Sequence, residues 1–168
     1  MGKDGRDTRF ADNWKNAKEK GILRGAYHFY RPNENSLEQA ANFIANVNLM
    51  PGDLPPVLDI ETLPDPNVQS VSSLVVGLKR FLTALEEHYG AKPIIYTSDN
   101  YYNAHLAGQG FEDYPLWIAN YNNIKEPKNK EWNVWQFTDQ ATVPGIGEFV
   151  DMNVFNGKPK HLKKLIIS

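Results

Sequence analysis

Asp59 and Glu61 stand two positions apart in the run Pro56-Val57-Leu58-Asp59-Ile60-Glu61-Thr62. Side chains alternate between the two faces of a strand, so a strand here projects both carboxyls from one face, with α-carbons roughly 6.6 Å apart. Crowding two acids beside Val57, Leu58 and Ile60 raises the pKa of one, which can then donate a proton while its ionised neighbour stabilises positive charge. Glycoside hydrolysis needs that division of labour, because the leaving oxygen must be protonated while the sugar becomes oxocarbenium-like. The competing reading is a solvated strand end whose acids cap the next helix or hold an arginine.

Asp151 lies between apolar neighbours in Phe149-Val150-Asp151-Met152-Asn153. It either faces inward for function or simply ends a strand. The carboxylates with His28 and Asp151 would suit a hard cation, but no His pair at ligand spacing supports one, so neither metal nor cofactor is expected. His28, in Tyr27-His28-Phe29, reads as a hydrogen-bonded core histidine rather than a base. No Ser or Cys nucleophile context accompanies it, which leaves acyl transfer little support. The four Trp and eight Tyr cluster beside strand-like segments, as sugar-stacking platforms or as ordinary core and surface aromatics.

The elements that must position these groups alternate along the chain. Phe10, Trp14 and Ala17 recur at helical spacing with Gly21 as a stop, and the short strand Gly25–Tyr30 follows. Ser36 with Gln39 gives a capping-box signature, after which Leu37, Ala40, Ala41, Ile44 and Val47 form one apolar helix face. Pro51-Gly52-Asp53 and Pro55-Pro56 punctuate before the strand of the acids. A helix from about Ser72 to Tyr89 buries Leu74, Leu78, Phe81, Leu82 and Leu85, with Gly90 as its stop. Four further strands are read at 93–97, 116–121, 134–138 and 149–153, separated by short, weak helical stretches. This alternation predicts an α/β fold: a parallel sheet with outer helices, completed irregularly as a distorted or incomplete (β/α) barrel. The alternative is an open doubly wound sheet, against which no Gly-rich phosphate loop follows any strand.

With 168 residues and no linker or repeat, residues 1–168 read as one domain. A net charge of −2 provides no basic field for nucleic acid or acidic membranes. The absence of cysteine excludes a disulfide framework and a thiolate metal site. No apolar run approaches the ~18 residues of a membrane span, and the polar start Met1–Asp7 does not read as a signal peptide.

Taken together the segments resemble family 25 of the glycoside hydrolases, the N-acetylmuramidase lysozymes. Gly25-Ala26-Tyr27-His28-Phe29-Tyr30-Arg31-Pro32 is similar to the family's third strand, Val57–Glu61 to its D-x-E strand and Ile94-Ile95-Tyr96-Thr97-Ser98 to the next. Leu116–Tyr121, Trp135-Gln136-Phe137-Thr138 and Val150–Phe155 are similar to the last three. The resemblance implies a TIM-like barrel that cleaves the β-1,4 bond between N-acetylmuramic acid and N-acetylglucosamine. It makes Glu61 the general acid and then base, Asp59 the residue that orients or stabilises the substrate's N-acetyl group, and Asp151 a further carboxylate of the cleft. Tyr27, Tyr96, Trp117, Tyr121 and Gln136 fall where the family lines its sugar groove, and the implied setting is extracellular or cell-wall-directed. By comparison with the motif order, the family's first two strands and one active-site carboxylate are missing, since Lys3–Phe10 resembles the stretch after the second strand. Unpaired edges at the strands of Tyr27 and Asp151 are then expected, with self-association across the gap. A domain that binds cell-wall glycan without turnover is the alternative function, and a folding-compromised fragment a third. Spacing alone leaves a retaining or inverting outcome open.

Overall fold

The computed structural model describes residues 1–121, 126–127 and 131–168. Helix α1 (Phe10–Glu19) precedes β1 (Tyr27–Phe29), α2 (Ser36–Asn46) joins β1 to β2 (Val57–Asp59), and α3 (Val71–Tyr89) joins β2 to β3 (Ile94–Ser98). The short α4 (Asp99–Tyr101) runs into a π-helical turn at Tyr102–Leu106 before β4 (Leu116–Ala119), β5 (Trp132–Ala141), β6 (Val150–Phe155) and α5 (Pro159–Leu162). The six strands lie side by side in chain order. β1 to β5 are parallel, and β6 returns antiparallel to β5.

That monotonic order decides between the two expected architectures. A doubly wound sheet reverses its direction of growth at a switch point. This one advances in a single direction, as a barrel wall does, and stops with β1 and β6 at its edges. It is an incomplete TIM-like barrel. The register is irregular between β4 and β5 and again along β5 and β6, where bulges bend the wall.

One face of the wall packs on helices. Leu58, Ile60, Ile95 and Ile118 are fully buried and join one core with Leu74, Leu78, Phe81, Leu82 and Leu85 of α3. Ser70 caps α3 by accepting the Ser73 N–H, and Gly90 ends it in the left-handed conformation at φ 66°. Burial of each such large apolar side chain contributes about 1.5–3 kcal/mol, so α3 is the principal clamp on β2 and hence on the acids.

α2 departs from its expected face. Its buried residues are Ser36, Gln39, Ala40 and Phe43, whereas Leu37 is exposed. Nor is there a Ser36–Gln39 capping box: Asn35 caps the helix, accepting from the N–H groups of Leu37 and Glu38. Gln39 points inward, where its amide oxygen lies 3.2 Å from His28 Nε2 and accepts the Arg31 N–H at 2.9 Å. Its amide nitrogen donates to the carbonyl oxygens of Arg31 and Glu34. A buried amide that satisfies this many partners holds the helix rotated toward it, overriding the apolar periodicity.

Below the sheet, Arg24 and Asp53 form a buried pair, with Arg24 Nε and Nη2 donating to the two carboxylate oxygens at 2.8 and 3.1 Å. Arg24 also donates to the Trp14 carbonyl at 2.6 Å and lies 3.8 Å over the Trp14 ring. The pair fastens α1 to the loop that launches β2.

Candidate active site

β2 ends at Asp59, and Glu61 follows two residues later, beyond the strand. Alternation puts Leu58 and Ile60 into the helix-packed core and Asp59 and Glu61 on the opposite face. The two acids differ in environment. Asp59 is 6% exposed, whereas Glu61 is open to solvent. Burial, then the charge of Glu61, then a hydrogen bond between the two side chains push the Asp59 carboxyl up to about 8. A carboxyl raised that far keeps its proton at neutral pH, so Asp59 is held in its neutral form, chiefly by burial. Asp59 Oδ1 is buried with no hydrogen-bond partner. An acceptor left bare in this way carries a desolvation cost, and such groups mark sites where a ligand is to be met.

The neighbouring strands floor the same face. Tyr96, the register partner of Asp59 in β3, donates its hydroxyl to Gln136 Oε1 at 2.7 Å. Tyr121, just past β4, donates to the same oxygen at 2.8 Å. Gln136 itself is 4% exposed on β5. Burial raises the Tyr96 and Tyr121 hydroxyls above the ordinary phenol range, so both remain protonated donors at neutral pH. Trp117, the register partner of Tyr96 in β4, meets that ring edge-on, with centroids 5.7 Å apart and planes at 89°.

Tyr27 is 69% exposed on β1. Burial of part of its ring raises its phenol, and the charges of Asp59, Asp7, Asp151 and Glu61 add to the shift. Asp151 on β6 is exposed, and its charge also reaches Tyr121. Asp151 lies two residues from Asn153, the register partner of Gln136, and so shares the floor's face of the sheet. All eight residues named from the sequence therefore lie on or beside one open, acidic, aromatic surface. His28 lies across the sheet from it, packed against Phe81 and Phe43 and pushed down to about 4, chiefly by burial. Among the described residues, no three acids or histidines converge as a metal site.

Two features were not anticipated. Asn153 Oδ1 accepts the Trp117 indole N–H at 2.8 Å. At the rim, Asn120 donates to the buried Asp99 at 3.3 Å, and its own carbonyl accepts the Trp135 indole N–H at 2.8 Å, linking the segments just past β3 and β4 to β5. Asn153 was readable in principle, since it follows Asp151 by two residues and so shares its strand face. The partnership of Asp99 with Asn120 carries no local sequence signal.

The class is thus defined by an unclosed TIM-like wall bearing paired acids at the end of a parallel strand, over a floor of Tyr, Trp and Gln: a glycoside hydrolase domain. The family model for glycosyl hydrolases family 25 matches residues 1–146, and the chain belongs to that family. Lysozyme M1 of Streptomyces globisporus is 31% identical over 175 residues, which cover 95% of this chain and 58% of that protein. The uncharacterized protein YegX of Escherichia coli K12 is 38% identical over 162 residues, again covering 95% of this chain and 58% of the relative. The chain thus spans somewhat over half the length of these relatives. Among solved structures, a bacterial lysozyme from Streptomyces coelicolor superposes with a TM-score of 0.86 at 30% identity, over 98% of this chain and 82% of the other. A family 25 glycosyl hydrolase from Bacillus anthracis gives 0.83 at 29%, over 97% and 77%.

Proposed function

We propose that this chain acts as a muramidase, hydrolysing the β-1,4 bond between N-acetylmuramic acid and N-acetylglucosamine in peptidoglycan. The observation that carries this reading is the pairing of a buried Asp59 with an exposed Glu61, set over a floor that suits a sugar chain. Asp59 passes the proton it holds to Glu61 and is left ionised; Glu61, the accessible member, protonates the leaving oxygen and then activates water. Asp59, held in place by β2, faces the acetamido group and stabilises the positive charge that develops beside it. Asp151 adds negative potential from the opposite edge, favouring an oxocarbenium-like transition state. Tyr27, Trp117 and Tyr121 offer ring faces for stacking, while Tyr96 and Gln136 hold the floor rigid. The likeness to two lysozymes supports the substrate class and, with it, a cell-wall setting. Among the described residues no helix is long and apolar enough to cross a membrane.

The test is to digest purified peptidoglycan, reduce the products with borohydride and analyse the new ends. A muramidase yields reduced muramic acid. Reduced glucosamine instead, or no new ends at all, overturns the proposal, and glycan binding without any new ends identifies a binding domain.

We also propose that copies associate through the sheet edges, where β1 and β6 have no outer strand partner among the described residues. Sedimentation showing only monomer at tens of micromolar removes that proposal.

A further inference from the structure

We infer that Asn153 is a positioning residue for glycan recognition: by accepting the Trp117 indole N–H, it fixes the ring on which a sugar stacks. This rests on the glycan reading above and adds a residue that acts through Trp117 rather than on the sugar. Trp117 sits in mid-sheet, with Tyr96 opposite it in β3 and Val134 opposite it in β5. Its edge-on contact with Tyr96 locates the ring without choosing which way the N–H edge points. An indole has one donor and no acceptor, so its partner sets the flip.

Gln136 is the nearby floor amide, but its oxygen already takes both phenol donors, one for each lone pair. The indole must look further. Asn153 pairs with Gln136 in the β5–β6 register, so its side chain reaches across β5 to meet Trp117 on β4 at 2.8 Å. The bond spans three strands and ties the edge strand that carries Asp151 to the centre of the floor. It also lies at the point where the β5–β6 register shifts, between the pairs Gln136–Asn153 and Thr138–Met152. Asn153 is exposed, and a substitution there leaves the core untouched.

The experiment uses soluble peptidoglycan glycan chains as substrate and compares Asn153→Ala, Asn153→Asp and Trp117→Phe. Loss of one such hydrogen bond is expected to raise KM about three- to tenfold in Asn153→Ala, with kcat kept within about twofold, and Asn153→Asp, which keeps the acceptor, restores KM. The Trp117 indole N–H proton resonance, assigned by its disappearance in Trp117→Phe, moves in Asn153→Ala and stays near its wild-type position in Asn153→Asp. In a double-mutant cycle, Asn153→Ala adds nothing once Trp117 is Phe. An unchanged KM in Asn153→Ala, an equal loss in Asn153→Asp, or full additivity with Trp117→Phe overturns the inference. If wild-type protein neither binds nor cleaves the glycan, the muramidase reading and this inference fall together. If wild type is active and Asn153→Ala matches it, only this inference falls.

Discussion

At the scale of single residues, the decisive feature is the unequal burial of two neighbouring acids. A strand of alternating faces puts Asp59 and Glu61 together, and that much is legible from two positions in the sequence. Which acid is buried is not, because the difference arises from Asp59 lying within β2, flanked by β1 and β3, while Glu61 lies beyond the end of the strand. Asp59 holds its proton up to about 8, whereas the unfolded chain releases it near 3.8. Between these values the folded state binds more protons than the unfolded one, so stability falls as pH rises. Asp59→Asn removes that titration and is expected to gain on the order of 1–3 kcal/mol over wild type near neutral pH. In denaturant melts, its advantage widens from pH 4 to pH 8 and then levels off. Equal stability at pH 4 and pH 8 would mean that Asp59 is not desolvated as described. The same substitution removes the carboxyl that holds this proton, so activity falls while stability rises.

At the scale of elements, the helix-packed face explains both what was legible and what was not. The apolar stripe of α3 is readable because five large residues recur at helical spacing and all five are buried. α2 misleads because a polar residue, Gln39, takes the inward position and Leu37 is left outside. Periodicity counts apolar residues and gives no weight to a buried amide with four hydrogen bonds. Gln39→Ala is expected to cost about 2–4 kcal/mol by leaving His28 and the Arg31 backbone unpaired, against about 1 kcal/mol for the exposed cap change Asn35→Ala. Chemical denaturation of the two variants checks the order, and a larger loss from Asn35→Ala contradicts it. His28 supplies a second titration of opposite sign. Its folded value of about 4 lies below the ordinary 6.5, so the unfolded chain takes the proton first and stability falls as pH drops from 6.5 to 4. His28→Asn should therefore gain on wild type across that window, and parallel stability curves would contradict the assignment.

At the scale of the whole molecule, an incomplete wall is kept in shape by a few long-range fastenings. The helix–strand alternation of the first half was readable because each strand there lies beside the one before it, whereas the antiparallel return of β6 was not. The Arg24–Asp53 fastening was not, since its partners are 29 positions apart in segments with no pattern of their own. Asp53→Asn leaves the Arg24 guanidinium buried without its counter-charge and is expected to cost about 3–5 kcal/mol, read as a lowered denaturant midpoint. A loss below about 1 kcal/mol would show that the pair contributes little. Asp151, on the last strand, lies two residues from the register pair Gln136–Asn153 and borders the same open face as the acids of β2. The function proposed for the groove is turnover of glycan with Glu61 as proton donor. It is tested most directly by the release of muramic reducing ends from peptidoglycan by wild type and by Glu61→Gln. Release by wild type is expected, with a loss of about 10²–10⁴-fold in the variant and glycan binding retained. Equal release by both proteins would contradict it.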